Sequence, residues 1–227
     1  MPPNDEAEPT DSERLALARQ FAANIASSLP AEVDARMFTL KSKMPFKVAY
    51  LREVLIHRVS ELATVAVELY ESNRLVPAFI LTRAVVETVA MAYWLHEKVS
   101  EFMNSKDVDA LDKFLMKAMM GSRDQTTQLE SHNVMSAIDR LEKQFPSTRK
   151  LYENLCEFTH PNWSGTSGSY SKIDRKQVKV GLGANLGGPP LAFGLGPLLA
   201  GLAMFEVYYN QLGDLLLKLN EHFESAA

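Results

Sequence analysis

The chain has 227 residues, of which 46% are hydrophobic and 23% charged, and its formal net charge is −4. One cysteine excludes an internal disulfide bond and agrees with a reducing cytoplasm. The negative charge excludes a general attraction to nucleic acid or anionic membranes, so we expect no DNA partner and only local RNA contacts.

The first eleven residues, MPPNDEAEPTD, are acidic and contain three prolines, which predicts a disordered tail that is not a signal peptide. Residues 12–227 are then expected to form a single helical-bundle domain. Two apolar stretches, 77–95 and 189–205, are interpreted as buried helices. The first contains Arg83 and Glu87, and the second is short and interrupted by Pro and Gly. We therefore expect no membrane association and a cytoplasmic location.

Apolar residues recur with a helical period along most of the chain. This pattern predicts helices over 12–28, 31–43, 46–73, about 77–100, 105–121, a stretch ending at Gln144, a short stretch after Ser147, and 197–223. Thr10 and Glu13 form a capping box before the first helix, and Pro45 is expected to close the second. The helix from Ser147 is expected to end at His160.

Residues 161–196 interrupt the helical period and contain eight of the eleven glycines. Inside this insertion, YSKIDRKQVKV predicts two short strands around Asp174 and Arg175. The predicted fold is therefore an all-α bundle of seven or eight helices, with a glycine-rich loop and short β-hairpin before the last helix.

The last predicted helix has an apolar seam with alternating steps of four and three residues. Its members are Leu198, Leu202, Phe205, Tyr209, Leu212, Leu216, Leu219 and Phe223. The seam predicts packing along helix 46–73, and apolar surface left on helices 76–100 and 197–223 predicts a homodimer. The alternative is that the seam is satisfied within one chain.

Arg83 and Glu87 are the charged residues within an otherwise apolar predicted helix. Residues four apart share a helix face, so the two side chains can form an ion pair. Because a buried charge must be paired, the pair either fixes the register of a central helix or lines a polar pocket inside the bundle.

A second polar set comprises Glu153, Glu157 and His160, spaced by four and three residues, with Asn154 beside them. At a helix C-terminus, the free carbonyl groups and Glu157 would favour a protonated imidazole. Pro161 would stop the helix and leave the imidazole in the loop region. His160 then suits a proton donor or anion-binding group, or a cap bonded to its own helix.

Metal and thiol chemistry are weaker alternatives. Glu157 and His160 match one half of the Glu-x-x-His pattern of di-metal bundles, but Glu53 and His57 are four residues apart and supply no second copy. Cys156 is four residues from His160, although a lone cysteine among apolar neighbours is typically inert. No metal site and no cofactor are predicted.

Two stretches carry a family resemblance: LTRAVVETVAMAYWL at 81–95 and YENLCEFTHPN at 152–162. With the preceding long helix, they resemble a group of uncharacterised bacterial helical proteins distantly similar to HEPN domains, over residues 46–163. The resemblance implies a helical-bundle ribonuclease of toxin or phage-defence systems, usually dimeric, with an Arg four to six residues before a His. His160 matches the histidine, whereas residues 154–156 are Asn, Leu and Cys and supply no arginine.

The favoured hypothesis is a HEPN-like binding or regulatory homodimer. Its polar pocket would contain Arg83, Glu87, Asn154, Glu157 and His160 and would take RNA or a small polar or anionic ligand. The enzyme alternative is a ribonuclease in which His160 is the general acid/base and Arg83, from the neighbouring helix, stabilises phosphorane charge. A metal-binding helical-bundle enzyme is the second alternative.

Overall fold

The computed structural model describes residues 9–124 and 126–225 and within them contains eight α-helices and one two-stranded antiparallel sheet. The helices are α1 (Asp11–Ser27), α2 (Met44–Glu71), α3 (Leu75–Ser105), α4 (Val108–Met120), α5 (Val134–Gln144), α6 (Thr148–Cys156), α7 (Ser167–Tyr170) and α8 (Ala192–Ser225). The strands are β1 (Ser171–Asp174) and β2 (Lys179–Leu182). This confirms the all-α bundle with a short hairpin before the last helix; most of the predicted tail, residues 1–8, lies outside the described residues.

Helix α3 is the centre of the bundle. It contacts α2, α4, α5, α6 and α8, and sixteen of its 31 residues are buried. A helix that is apolar on nearly every side must be covered on every side, and the surrounding helices provide that cover. Helix α8 packs mainly along α3 and also against α1 and α2, so its predicted packing partner, 46–73, is the lesser one.

The starts of α1 and α4 follow local capping chemistry. Thr10 and Glu13 form the predicted capping box of α1, with the Thr10 N–H donating to Glu13 Oε2 at 2.7 Å. Helix α4 is capped by Asp107, which accepts the Ala110 N–H at 2.9 Å. The predicted start of this helix at residue 105 is wrong, because α3 continues to Ser105.

The predicted helix over 31–43 is wrong. Only a single 3₁₀ turn, Ala35–Met37, forms there. Met37 is 77% exposed and Leu40 is 96% exposed, so their side chains do not supply the buried face that stabilises a short helix. Pro45 lies in the first turn of α2, where its missing N–H costs no hydrogen bond.

Helix α8 begins at Ala192, so the expected start at Pro197 is wrong and the predicted insertion, 161–196, is shorter than expected. Leu195 is fully buried, and Gly194 brings the helix against α3 and α2. Tertiary packing therefore extends the helix through a segment that contains Gly194 and Gly196, although glycine has a low intrinsic helix propensity.

The apolar seam of α8 is largely covered within the single chain. Five of its eight members are buried: Leu198, Leu202, Phe205, Leu212 and Leu219. The other three, Tyr209, Leu216 and Phe223, are partly buried and pack against the same core. The opposite side of the helix carries the exposed residues Glu206, Asn210, Asp214 and Lys218.

Among the described residues, α3 and α8 are long and apolar enough to cross a membrane by length and composition alone, with mean hydropathies of 1.7 and 1.3 in their most apolar 18-residue windows. In the bundle, 61% and 39% of those windows are buried. A core helix of a soluble protein passes the same test, so the absence of membrane association and the cytoplasmic location stay predictions.

We expect Gly194→Ala to lower the free energy of unfolding by about 1–3 kcal/mol, the usual cost of overpacking. A Cβ atom there would lie 2.2 Å from the Phe79 ring and 2.3 Å from the Tyr70 hydroxyl. The matched control is Gly201→Ala, also inside α8, whose Cβ would make ordinary contacts of 3.7–4.0 Å with three valines. Urea unfolding should show Gly201→Ala to be neutral or stabilising, as expected for a helix-interior glycine; equal losses in both variants would contradict the close approach at Gly194.

Candidate functional site

Arg83 and Glu87 form the predicted ion pair, with Arg83 Nη2 and Glu87 Oε1 3.0 Å apart. Their side chains are 25% and 23% exposed, so the pair is half-buried and lies at the edge of the core. The expectation of a buried pair is corrected accordingly. At this exposure, the solvent weakens the interaction and the pair depends on further hydrogen bonds.

Tyr152, which is buried, supplies those hydrogen bonds from α6. Its hydroxyl accepts from Arg83 Nε at 3.3 Å and Nη2 at 3.1 Å, and donates to Glu87 Oε1 at 2.8 Å. Arg83 Nη1 also donates to Thr159 Oγ1 at 3.2 Å. The guanidinium is thus held by one carboxylate and two hydroxyl groups, and the network fastens α6 and the following turn to α3.

The protonation states follow from this environment. Burial raises the pKa of Tyr152 to about 12; the hydrogen bond from Arg83 opposes this shift, and the one to Glu87 adds to it. Burial alone would lower the pKa of Arg83, but Tyr152 and the charge of Glu87 outweigh it, and the pKa is raised. At neutral pH, the network therefore contains a charged Arg83 and a neutral Tyr152.

His160 does not lie on a helix. Helix α6 ends at Cys156, and the chain continues in turns in which the Thr159 N–H donates to the Cys156 carbonyl at 2.9 Å. Glu153, Glu157 and His160 therefore do not share one helix face, and His160 is exposed. Pro161 disfavours the helical conformation at His160. Helix α6 ends four residues before His160, so the proline is not what terminates it.

The opposite side of α6 faces a cleft of about 370 Å³ between this helix and the glycine-rich insertion. Two of the predicted ligand-binding residues, Asn154 and Glu157, line it. The other lining residues are mostly aromatic or small: Phe158, Trp163, Ser164, Gly168, Ser169, Gly187, Gly188, Pro189 and Phe193. The volume lies at the lower end of the range for small-molecule sites, about 300–1,000 Å³.

Phe158 and Phe193 form the apolar base of the cleft and pack against the buried Phe79 behind them. Phe79 of α3 contacts Phe158 and Phe193 edge-on, with ring centroids 5.0 and 5.6 Å apart. Phe158 and Phe193 are themselves 5.5 Å apart. Edge-to-face contact is a favoured aromatic arrangement, so the two ends of the insertion are fixed to the central helix.

Asn162, in the turn after α6, hydrogen-bonds the Glu157 side chain that lines the cleft. Its Nδ2 donates to Glu157 Oε2 at 2.7 Å, and its Oδ1 accepts the Gly165 N–H at 3.0 Å. Gly165 is required here, because a Cβ atom would lie 2.2 Å from the His160 carbonyl oxygen. The tight turn thus places the Asn162 amide against the exposed Glu157 carboxylate.

The structure divides the predicted site residues into separate groups. Arg83 and Glu87 form one network on α3, Asn154 and Glu157 line the cleft on the other side of α6, and His160 is on the surface. It brings in four residues that the sequence interpretation missed: Tyr152, Thr159, Asn162 and Trp163. Only Trp163, a large aromatic residue in a polar loop, gave a signal in the sequence, and it is 73% exposed.

Glu53 and His57, the residues weighed as a second metal half-site, have other partners. Glu53 forms an ion pair with Arg52 and accepts the Tyr209 hydroxyl at 2.6 Å, and His57 Nε2 is 2.8 Å from the Pro30 carbonyl oxygen. In the part of the chain that the structure describes, no group of three or more His, Cys, Asp or Glu residues could hold a metal ion. The metal-enzyme alternative therefore has no ligand cluster among these residues.

Comparison of the chain with protein-family models, with curated proteins and with solved structures finds no significant match. The HEPN resemblance accordingly stays a prediction, and the function must be argued from the geometry of the site.

We expect Tyr152→Phe to lower the free energy of unfolding by about 1 kcal/mol or more, because it removes a hydroxyl that bridges Arg83 and Glu87. The control is Tyr50→Phe, whose parent ring is 43% exposed and whose hydroxyl has no partner among the described residues. The folded-state pKa of Tyr152 lies above the ordinary value near 10, so its stabilisation is present below pH 10 and is lost as the pH rises from about 10 to 12. Urea unfolding of the wild type and the variant across this range measures both effects; a difference between them that stays constant with pH would contradict the shifted pKa.

Proposed function

We propose that the chain is a binding or regulatory protein, distantly HEPN-like, that holds a small ligand in the cleft beside α6. The observation that carries the proposal is the cleft itself: about 370 Å³, with aromatic walls and the polar side chains of Asn154, in α6, and Glu157, which directly follows that helix. A mostly apolar cavity with a few polar groups that converge on it is the usual form of a small-molecule site.

Binding is favoured over catalysis by the state of the charged residues. The Arg83 guanidinium is occupied by Glu87, Tyr152 and Thr159, and it does not line the cleft. A catalytic cation must be free to stabilise charge that develops in the transition state, and internal pairing removes much of that capacity. The proposed role is therefore recognition of a ligand without a chemical step.

A homodimer is part of the proposal. Most of the α8 seam is covered within one chain, so it supplies little interface. The large apolar side chains that stay exposed among the described residues of α8 are Val207, at 50%, and Leu217, at 68%. These two residues support a two-fold contact through α8, bordered by Asn210 and Asp214, more directly than the seam does.

We expect Gly188→Leu to abolish ligand binding without unfolding the protein. Gly188 lines the cleft, and a Cβ there would contact only Ser169, at 3.5 Å or more, so the larger side chain fills the open space. The measurement is saturation-transfer NMR with a library of small aromatic and heterocyclic fragments, in which wild-type hits should disappear.

Gly181→Leu, in β2, is the matched control, because its Cβ would also make only ordinary contacts, at 3.7 Å or more, and it lies outside the cleft. A melting curve for each variant verifies folding. If Gly188→Leu does not fold, Trp163→Ala removes one wall of the cleft instead. The absence of any hit that depends on the cleft would sink the binding proposal.

One contact favours the ribonuclease alternative: Arg83 Nη1 donates to Thr159, the residue immediately before His160. We nevertheless expect no RNA cleavage, because Glu87 neutralises this arginine and His160 alone cannot stabilise phosphorane charge. Purified protein is incubated with total RNA with and without EDTA, and His160→Ala serves as the specificity control. EDTA-resistant cleavage that is lost in His160→Ala would establish the ribonuclease and displace the binding proposal.

A further inference from the structure

Glu157 differs from the neighbouring carboxylates of the site. Glu87 is paired with Arg83, and Glu153 is paired with Arg149 at 2.7 Å. Glu157 forms no ion pair with any described residue; its contact is the neutral Asn162 amide, which donates to Oε2. The second oxygen, Oε1, accepts no hydrogen bond within the described chain, so this exposed carboxylate at the cleft has unused acceptor capacity.

Aromatic rings stand beside this carboxylate. Phe158 and Phe193 form the apolar base, and Trp163 lies over Gly168, where a Cβ atom would be 3.1 Å from the indole ring. Although the ring rests on Gly168, Trp163 remains 73% exposed, an unusual amount of apolar surface for a residue held in a defined position. The faces of aromatic rings carry partial negative charge and attract cations.

The electrostatic potential of the cleft is therefore negative. Glu157 is the charged residue of the described lining, and the aromatic faces add to its negative potential. Arg83 does not line the cleft and belongs to the network with Tyr152. An anionic ligand would lose hydration and lie beside a carboxylate, and the described cleft lining has no cationic side chain to pair with it. Desolvation of an unpaired charge in a partly enclosed site is unfavourable.

From this arrangement we infer that the cleft binds a small organic cation, an ammonium group carried on a compact apolar or aromatic body. The ammonium group meets Glu157 Oε1 and the Trp163 face, and the apolar body lies on Phe158 and Phe193. This inference rests on the proposed binding function and specifies its ligand class. The sequence predicted RNA or a small polar or anionic ligand; a cation is inferred instead, because neither Arg83 nor His160, the basic residues of the predicted pocket, lines the cleft.

Three probes with the same phenyl ring test the charge of the ligand: 2-phenylethylamine, 2-phenylethanol and phenylacetate. Binding is followed by tryptophan fluorescence, because Trp163 is exposed whereas Trp94 is only 8% exposed. Loss of the signal in Trp163→Phe assigns it to the cleft. We expect the amine to bind about tenfold or more tightly than the alcohol, as one charge-assisted contact provides, and phenylacetate to bind weakest.

Glu157→Gln keeps the shape of the side chain and removes its charge. We expect it to weaken binding of 2-phenylethylamine by about tenfold or more and to leave 2-phenylethanol unchanged. The matched control is Glu153→Gln, one turn earlier and inside α6, whose side chain pairs with Arg149 and does not line the cleft. It should leave the affinities for all three probes unchanged.

The outcomes separate the two proposals. If 2-phenylethanol or phenylacetate binds as tightly as the amine and Glu157→Gln has no effect, the cation inference is overturned while ligand binding stands. Benzyltrimethylammonium is a second cationic probe with an aromatic ring. If it and 2-phenylethylamine both fail to bind to the folded wild type, the cation inference is also overturned. If, in addition, no fragment hit depends on Gly188, both proposals fail.

Discussion

The contact of Phe79 with Phe158 and Phe193 is the interaction on which the rest of the site depends. It joins the central helix to the chain just after α6 and to the first turn of α8, with ring centroids 5.0 and 5.6 Å from Phe79. The glycine-rich insertion therefore begins and ends at the same aromatic cluster, with Phe158 before it and Phe193 after it. Both of its ends are fixed, so the loops between them can enclose a cleft of defined shape, although they contain little regular structure.

Helix α6 has a different task on each side. Tyr152 faces α3, where its hydroxyl hydrogen-bonds both Arg83 and Glu87. The half-buried guanidinium therefore has a second partner besides the Glu87 carboxylate. Asn154 and Glu157 face the cleft and the insertion. The network thus holds in place the helix that presents the cleft residues, and the charge that stabilises the fold is kept apart from the carboxylate available to a ligand. This separation argues for a binding role more strongly than for a catalytic one.

A similar device joins α2 to α8. The Arg52 guanidinium lies 3.5 Å from the centre of the Tyr209 ring, and the Tyr209 hydroxyl donates to Glu53 at 2.6 Å. Arg52 and Glu53 are only 15% and 13% exposed, which makes this the more deeply buried of the two arginine networks. In each network a tyrosine connects an ion pair on one helix to a second element. The tyrosine satisfies the polar groups and supplies apolar surface to the core.

The sequence by itself determined the seven longer helices and the hairpin, because the helical period, the Thr10–Glu13 capping box and the alternation around Asp174 are local patterns with local causes. It missed the four-residue α7 and predicted a helix over 31–43 that does not form. It also indicated that Arg83 and Glu87 pair, since residues four apart on a helix are neighbours. Only the tertiary structure decided which face of α6 meets α3, that Tyr152 completes the pair, and that His160 stays outside the cleft. Those outcomes depend on contacts between residues far apart in the chain, such as Phe79 with Phe193, and a single sequence does not reveal which distant side chains meet. The early start of α8 has the same origin, since Gly194 is helical there because it fits against Phe79 and Tyr70.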